Sequence, residues 1–184
     1  ATLRSDLKAE LRSLKLPERD RLLVACLIEE LDDDGLLRTP LETVAREYSA
    51  FAQAPLEEWE RALATLKTFD PPGVGASSPT EALALEALRL GDENESLRPA
   101  AELLAQILRT KLDALAKRSE SDLLALAGGK RQLLSESLAL LSRLNPHPAS
   151  TYGEISSSYV RPDILIVKQS ERWVAMIHPA AQPN

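Results

Sequence analysis

Two prolines and two glycines within the seven residues Asp70-Pro71-Pro72-Gly73-Val74-Gly75-Ala76 bar any helix from running through this part of the chain. Proline fixes φ and lacks an amide donor, and glycine alone enters positive φ without steric cost. Leucine-rich, helix-forming sequence lies on both sides, so the segment reads as a stiff, non-helical connection between two helical halves. Two further interruptions share its character. Leu31-Asp32-Asp33-Asp34-Gly35 closes a helical run upstream, and Asn145-Pro146-His147-Pro148 closes the last run downstream.

What surrounds these interruptions is set by composition. Hydrophobic residues make up 44% of the 184 and aromatic residues only 4%. The core must therefore be built from leucine and alanine, which favours packed helices over a β-sandwich. A chain of this length buries enough surface to fold without metals, and its single cysteine, Cys26, excludes an internal disulfide. No apolar run approaches the roughly 18 residues of a membrane span, and the N-terminus lacks the basic-then-apolar pattern of a signal peptide. The expected setting is a soluble, reducing compartment. The net charge of −6 argues against a general binder of phosphate backbones and is compatible with docking onto a basic protein surface.

Apolar spacing places the helices. Leu3, Leu7, Leu11 and Leu14 form one amphipathic stripe. Pro17 opens a second helix whose Leu22 to Ile28 stretch leaves almost no polar face, as expected of a central element. Thr39-Pro40-Leu41-Glu42 has the form of a capping box for a short helix through Tyr48. Pro55 starts a fourth, with Leu56, Trp59, Leu63 and Leu66 on one face and Phe69 at its end. Ser78-Pro79-Thr80-Glu81 repeats the capping chemistry for a helix stopped at Gly91, followed by a loop over Asp92 to Ser96. Pro99 begins one long helix through Leu115, Ser121 caps a short one ending at Gly128-Gly129, and Leu134, Leu138, Leu141 and Leu144 mark the last. Beyond Pro148 helical periodicity disappears. Ile164 to Lys168 and Trp173 to Ile177 are β-prone runs consistent with a hairpin after an extended segment.

The expected fold is mainly α: a helical bundle over residues 1–75, a second over 76–150, and an extended linker with a C-terminal β-hairpin over 151–184.

Glu30, Asp32, Asp34 and Gly35 occupy positions one, three, five and six of a possible calcium loop, but position nine is Arg38 and position twelve is Leu41, where a bidentate glutamate is required. A turn whose aspartates bond local amides is the favoured reading, with calcium binding the weaker alternative. Gly73-Val74-Gly75 lacks the preceding strand of a dinucleotide site. His147, His178 and Cys26 have no zinc-ligand spacing, and Cys26 lies in the most apolar helix, where a free cysteine behaves as a small hydrophobe. No catalytic, cofactor or metal residues are expected.

The three interruptions and their order resemble the core-polymerase-binding region of the bacterial sigma-54 family, the nitrogen-type RNA polymerase sigma factors. The resemblance rests on Asp32, Asp33, Asp34 and Gly35 with the leucines around them, on Asp70, Pro71, Pro72, Gly73, Val74 and Gly75, on Asn145, Pro146 and Pro148, on Pro162 and Asp163 after Tyr159-Val160, and on Arg172-Trp173-Val174. Ser77-Ser78-Pro79 stands where the family usually has Arg-Asp-Leu, and Ala149 where it commonly has glycine.

The resemblance implies a non-catalytic, cytoplasmic bacterial module that binds core RNA polymerase, near the β-subunit flap, with no cofactor and no membrane contact. It implies that promoter DNA and an AAA+ activator ATPase are met by regions outside this chain. A non-catalytic helical scaffold is the alternative.

Overall fold

The computed structural model describes residues 2–117 and 119–145. Among them the structure is helical, with nine α-helices, one 3₁₀ turn and no strand. The expected C-terminal hairpin and the segment leading to it lie outside the described residues. The chain divides into two compact units between Ser78 and Pro79.

The first unit contains α1 (Leu3–Ser13), α2 (Glu18–Glu30), α3 (Leu41–Glu47) and α4 (Leu56–Leu66). α1 starts with a reciprocal cap: the Thr2 hydroxyl accepts the Ser5 N–H at 3.1 Å, and the Ser5 hydroxyl accepts the Thr2 N–H at 2.9 Å. The leucine stripe of α1 buries Leu3, Leu7 and Leu11. α2 lies between α1 and α4, so Leu23, Val24, Cys26, Leu27 and Ile28 are all buried, as a helix with little polar face requires. Trp59 is 0% exposed and shares this core with Leu66, Phe69 and Val74.

Two arginines finish helices that glycine does not. Arg21 donates to the carbonyls of Leu11 and Leu14 at 2.6 and 2.7 Å, and Arg4 donates to Leu31 at 2.6 Å, satisfying orphan carbonyls at the ends of α1 and α2. At α3 the Thr39 capping box does not form. Pro40 is itself the N-cap, with ψ 143°, and its carbonyl accepts the Thr43 and Val44 amides; Thr39 therefore lies one residue outside the cap.

The second unit contains α5 (Pro79–Glu93), a 3₁₀ turn (Glu95–Leu97), α6 (Arg98–Thr110), α7 (Leu112–Ala116), α8 (Glu120–Leu126) and α9 (Arg131–Leu141). Its core gathers Leu83, Ala87, Leu104, Ile107, Leu115, Leu123, Leu138 and Leu141 around α6. Two boundaries between α6 and α9 differ from expectation, and the stop at Gly128-Gly129 forms as expected. The helix begun at Pro99 breaks at Lys111, whose φ of −129° and ψ of 37° leave the helical region, and α7 starts afresh. Ser119, not Ser121, is the N-cap of α8. Gly128 and Gly129 close α8 at positive φ, with the Gly129 N–H on the Leu124 carbonyl and the Gly128 N–H on that of Ala125.

Gly91 does not stop α5. It is buried inside the helix, and a Cβ there would come within 3.0 Å of the Ala101 Cβ and 3.3 Å of the Arg98 Cα. Its role is to let α5 and α6 approach closely, so the expected loop over Asp92 to Ser96 is instead the end of α5 and the 3₁₀ turn. Gly91→Ala gains about 1 kcal/mol of helix propensity. Separating two packed helices typically costs about 1–3 kcal/mol. Chemical denaturation is therefore expected to show a net loss of stability; a clear gain would mean that the α5–α6 approach adjusts freely.

Candidate functional site

The aspartate turn is built from its own backbone. Gly35, at φ 84°, lets the chain reverse after α2, and the Asp32 carboxylate faces into the reversal. One Asp32 oxygen accepts the amides of Asp34 and Leu36, each at 2.9 Å, and the other accepts the Arg38 Nε at 2.9 Å. This is the turn in which an aspartate bonds local amides. The carboxylate that would be central to a calcium loop is thereby committed to protein donors, one of them cationic, while Asp33 is exposed.

The Asp70 to Ala76 segment folds onto that turn. Gly73 and Gly75 take φ of 95° and 85°, and the Asp70–Pro71 peptide is cis. The Gly75 N–H donates to the Gly35 carbonyl at 3.0 Å, and the Leu37 N–H donates to the Ala76 carbonyl at 2.8 Å. Phe69, Val74 and Ala76 are fully buried around this clasp, and the Asp70 N–H reaches the Glu10 carboxylate at 3.2 Å. Residues read separately as a helix stop and a connection are thus one backbone clasp inside the first unit. The pairing leaves no side-chain signature; two glycine-containing interruptions of like character were its only trace.

Asn145 lies in the second unit, where its N–H donates to the Glu86 carboxylate at 3.0 Å. Pro146, Pro148, Pro162 and Asp163 lie outside the described residues. Glu86 was not marked by the sequence, since one of several charged residues on α5 has no distinctive spacing. Burial pushes its carboxyl up from the ordinary 4.5, opposed by the Asn145 amide and by Arg89. A carboxyl raised on folding contributes stability fully below its unfolded value and loses it as pH rises through the folded value. Glu86→Gln keeps an acceptor for the Asn145 amide and removes that cost. It is expected to melt above the parent at neutral pH, with the difference closing below about pH 4.5. A difference constant across this range would contradict the assignment.

Charge is unevenly spread. Residues 1–78 carry fifteen Asp and Glu against ten Lys and Arg, so five of the six net negative charges fall in the first unit. Cys26 is buried, and burial with the nearby Glu30 pushes its thiol up, away from the reactive thiolate. Among the described residues no group of His, Cys, Asp and Glu is arranged to hold a metal ion, and no helix is long and apolar enough to cross a membrane.

The whole chain, residues 1–184, matches the family described as Sigma-54 factor, core binding domain. The chain belongs to this family. RNA polymerase sigma-54 factors are among its relatives: that of Xanthomonas euvesicatoria is 32% identical over 184 residues, covering all of this chain and 38% of the relative. That of Pseudomonas putida KT2440 is 29% identical over 183 residues, covering all of this chain and 36% of the relative. That of Rhizobium etli is 32% identical over 166 residues, 90% of this chain and 30% of the relative. The chain therefore spans about a third of the sigma-54 factors it matches, and in it Asp32–Gly35 and Asp70–Ala76 form one clasp.

Proposed function

We propose that this chain holds a sigma-54-type initiation factor on core RNA polymerase, and that its acidic first unit makes the main contact, with the β-subunit flap as the docking element. The observation that carries the reading is the match of all 184 residues to a core binding domain. The charge distribution supports the choice of unit, because five of six net negative charges fall where a basic surface would be met. The clasp of Asp32–Gly35 with Asp70–Ala76 serves as the frame that fixes this surface. The module acts by geometry in the bacterial cytoplasm: it catalyses nothing and positions the regions of a longer factor that read promoter DNA and meet an AAA+ activator ATPase.

Size-exclusion chromatography of the chain with purified core polymerase tests this. At micromolar concentration the chain should co-elute with core polymerase without DNA, and should leave a promoter duplex unbound when alone. Separate elution, or a stable complex with DNA alone, would defeat the proposal.

A further inference from the structure

The described residues include two exposed large hydrophobic side chains, both in the first unit: Leu22 on α2 at 42% and Phe51 in the turn after α3 at 75% exposure. At one end of α2 the Arg19 guanidinium donates to the Gln53 carbonyl at 2.8 Å and pairs with Glu58 at 2.6 Å. At the other end Glu30, eleven residues along α2, lies beside Tyr48 and Glu47. Arg19, Leu22, Cys26 and Glu30 share one helix face, so the turn from Tyr48 to Gln53 runs along α2 with Leu22 between its two anchor points. Phe51 stands at the middle of that turn, its ring 6.4 Å from the Tyr48 ring, which in turn is 6.3 Å from buried Trp59. The exposed phenyl is thus backed by aromatic packing that reaches the core.

At the Arg19 end the cation is paired with Glu58, whereas at the Tyr48 end two acids meet. Glu30 raises the carboxyl of Glu47, and burial together with Glu30 pushes the Tyr48 hydroxyl up to about 12; no lysine or arginine enters either balance. Two neighbouring carboxylates beside Tyr48, whose ring lies 6.4 Å from the exposed Phe51 ring, fit a positive side chain that can sit between the acids and against an aromatic face.

We propose that the seam formed by Leu22, Phe51, Glu30 and Glu47 docks a basic segment of core RNA polymerase that presents an apolar side chain next to an arginine or lysine. The inference rests on the polymerase-binding reading and adds to it the place of contact. The apolar member packs on Leu22 and Phe51, and the cation is taken by Glu30 and Glu47. Both halves are needed: the ring supplies desolvated area, and the carboxylates select a basic partner.

Fluorescence anisotropy titration of the labelled 184-residue chain with purified core polymerase tests the seam. Phe51→Ser and the double variant Glu30→Gln with Glu47→Gln are each expected to weaken binding about tenfold or more, the scale of an interface anchor. Removing two charges from the second unit, Glu102→Gln with Glu136→Gln, should leave affinity unchanged. Thermal melts matching the parent show that the exposed substitutions leave the fold intact. Parent-like binding by both seam variants overturns the inference and leaves the polymerase reading standing. Absence of binding by the parent overturns both. A self-associated parent that Phe51→Ser converts to monomer in sedimentation, with polymerase affinity unchanged, would assign the seam to a second copy and overturn the inference.

Discussion

Replacing Trp59 by alanine is expected to cost about 3–5 kcal/mol of folding stability, the range for truncating a large buried aromatic. Trp59 is fully buried where α2 and α4 meet, with Tyr48 against its ring and Leu66 and Phe69 in the same core. Alanine would leave a cavity in a unit whose other core side chains are mostly leucine and valine, and α2 is tied to α1, to α4 and to the Gln53 turn by Arg21 and Arg19. Collapse of these helices into the space is limited. A typical domain has only about 5–15 kcal/mol to lose. Trp59→Phe should be far milder, because the indole N–H finds no hydrogen-bond acceptor and its loss leaves nothing unpaired. Denaturant melts would contradict this if Trp59→Ala shifted stability by well under 1 kcal/mol, the size of an ordinary surface change.

Gly73→Val should destabilise the first unit by about 1–3 kcal/mol, the strain of a side chain held in a sparsely populated backbone region. Gly73 has φ of 95°, a conformation that a β-branched residue adopts only under strain. The strain cannot be relieved locally. The flanking Val74 is fully buried, and two residues on, Gly75 is bonded to Gly35, so a shift of the Gly73 backbone would break the clasp. A variant as stable as the parent would show that the segment is not fixed by these contacts. On the proposed reading, in which the clasp frames the contact surface, the same variant should bind core polymerase more weakly than a substitution at exposed Ser77, a comparison to be made below the melting range.

Much of the helical layout was legible because its signals are local. Leucines at spacings of four placed Leu3, Leu7 and Leu11 in the core, and the nearly unbroken apolar face of α2 foretold its position between two helices. Local signals also explain the errors. Lysine favours helix and Leu108, Leu112 and Leu115 keep helical spacing across Lys111, so nothing in the sequence marks the break there. A glycine late in a helix reads as a stop, yet Gly91 admits a neighbouring helix, a distinction made by Ala101 and Arg98 from another element. The clasp was beyond local reading altogether. It joins backbone groups about forty residues apart, and backbone groups are the same in every sequence. Phe51, in the polar and alanine-containing stretch Ser49-Ala50-Phe51-Ala52-Gln53, belonged to no helical stripe, and that isolation was the available sign of an exposed ring.

The first unit is the proposed contact with core RNA polymerase. Hydrogen exchange of the 184-residue chain, alone and with a molar excess of purified core polymerase, tests that contact most directly. Slowed exchange should appear in peptides from residues 1–78, concentrated at the C-terminal end of α2 and in the turn from Tyr48 to Gln53, without any DNA present. Unchanged exchange throughout, or protection confined to residues 79–145, would contradict it.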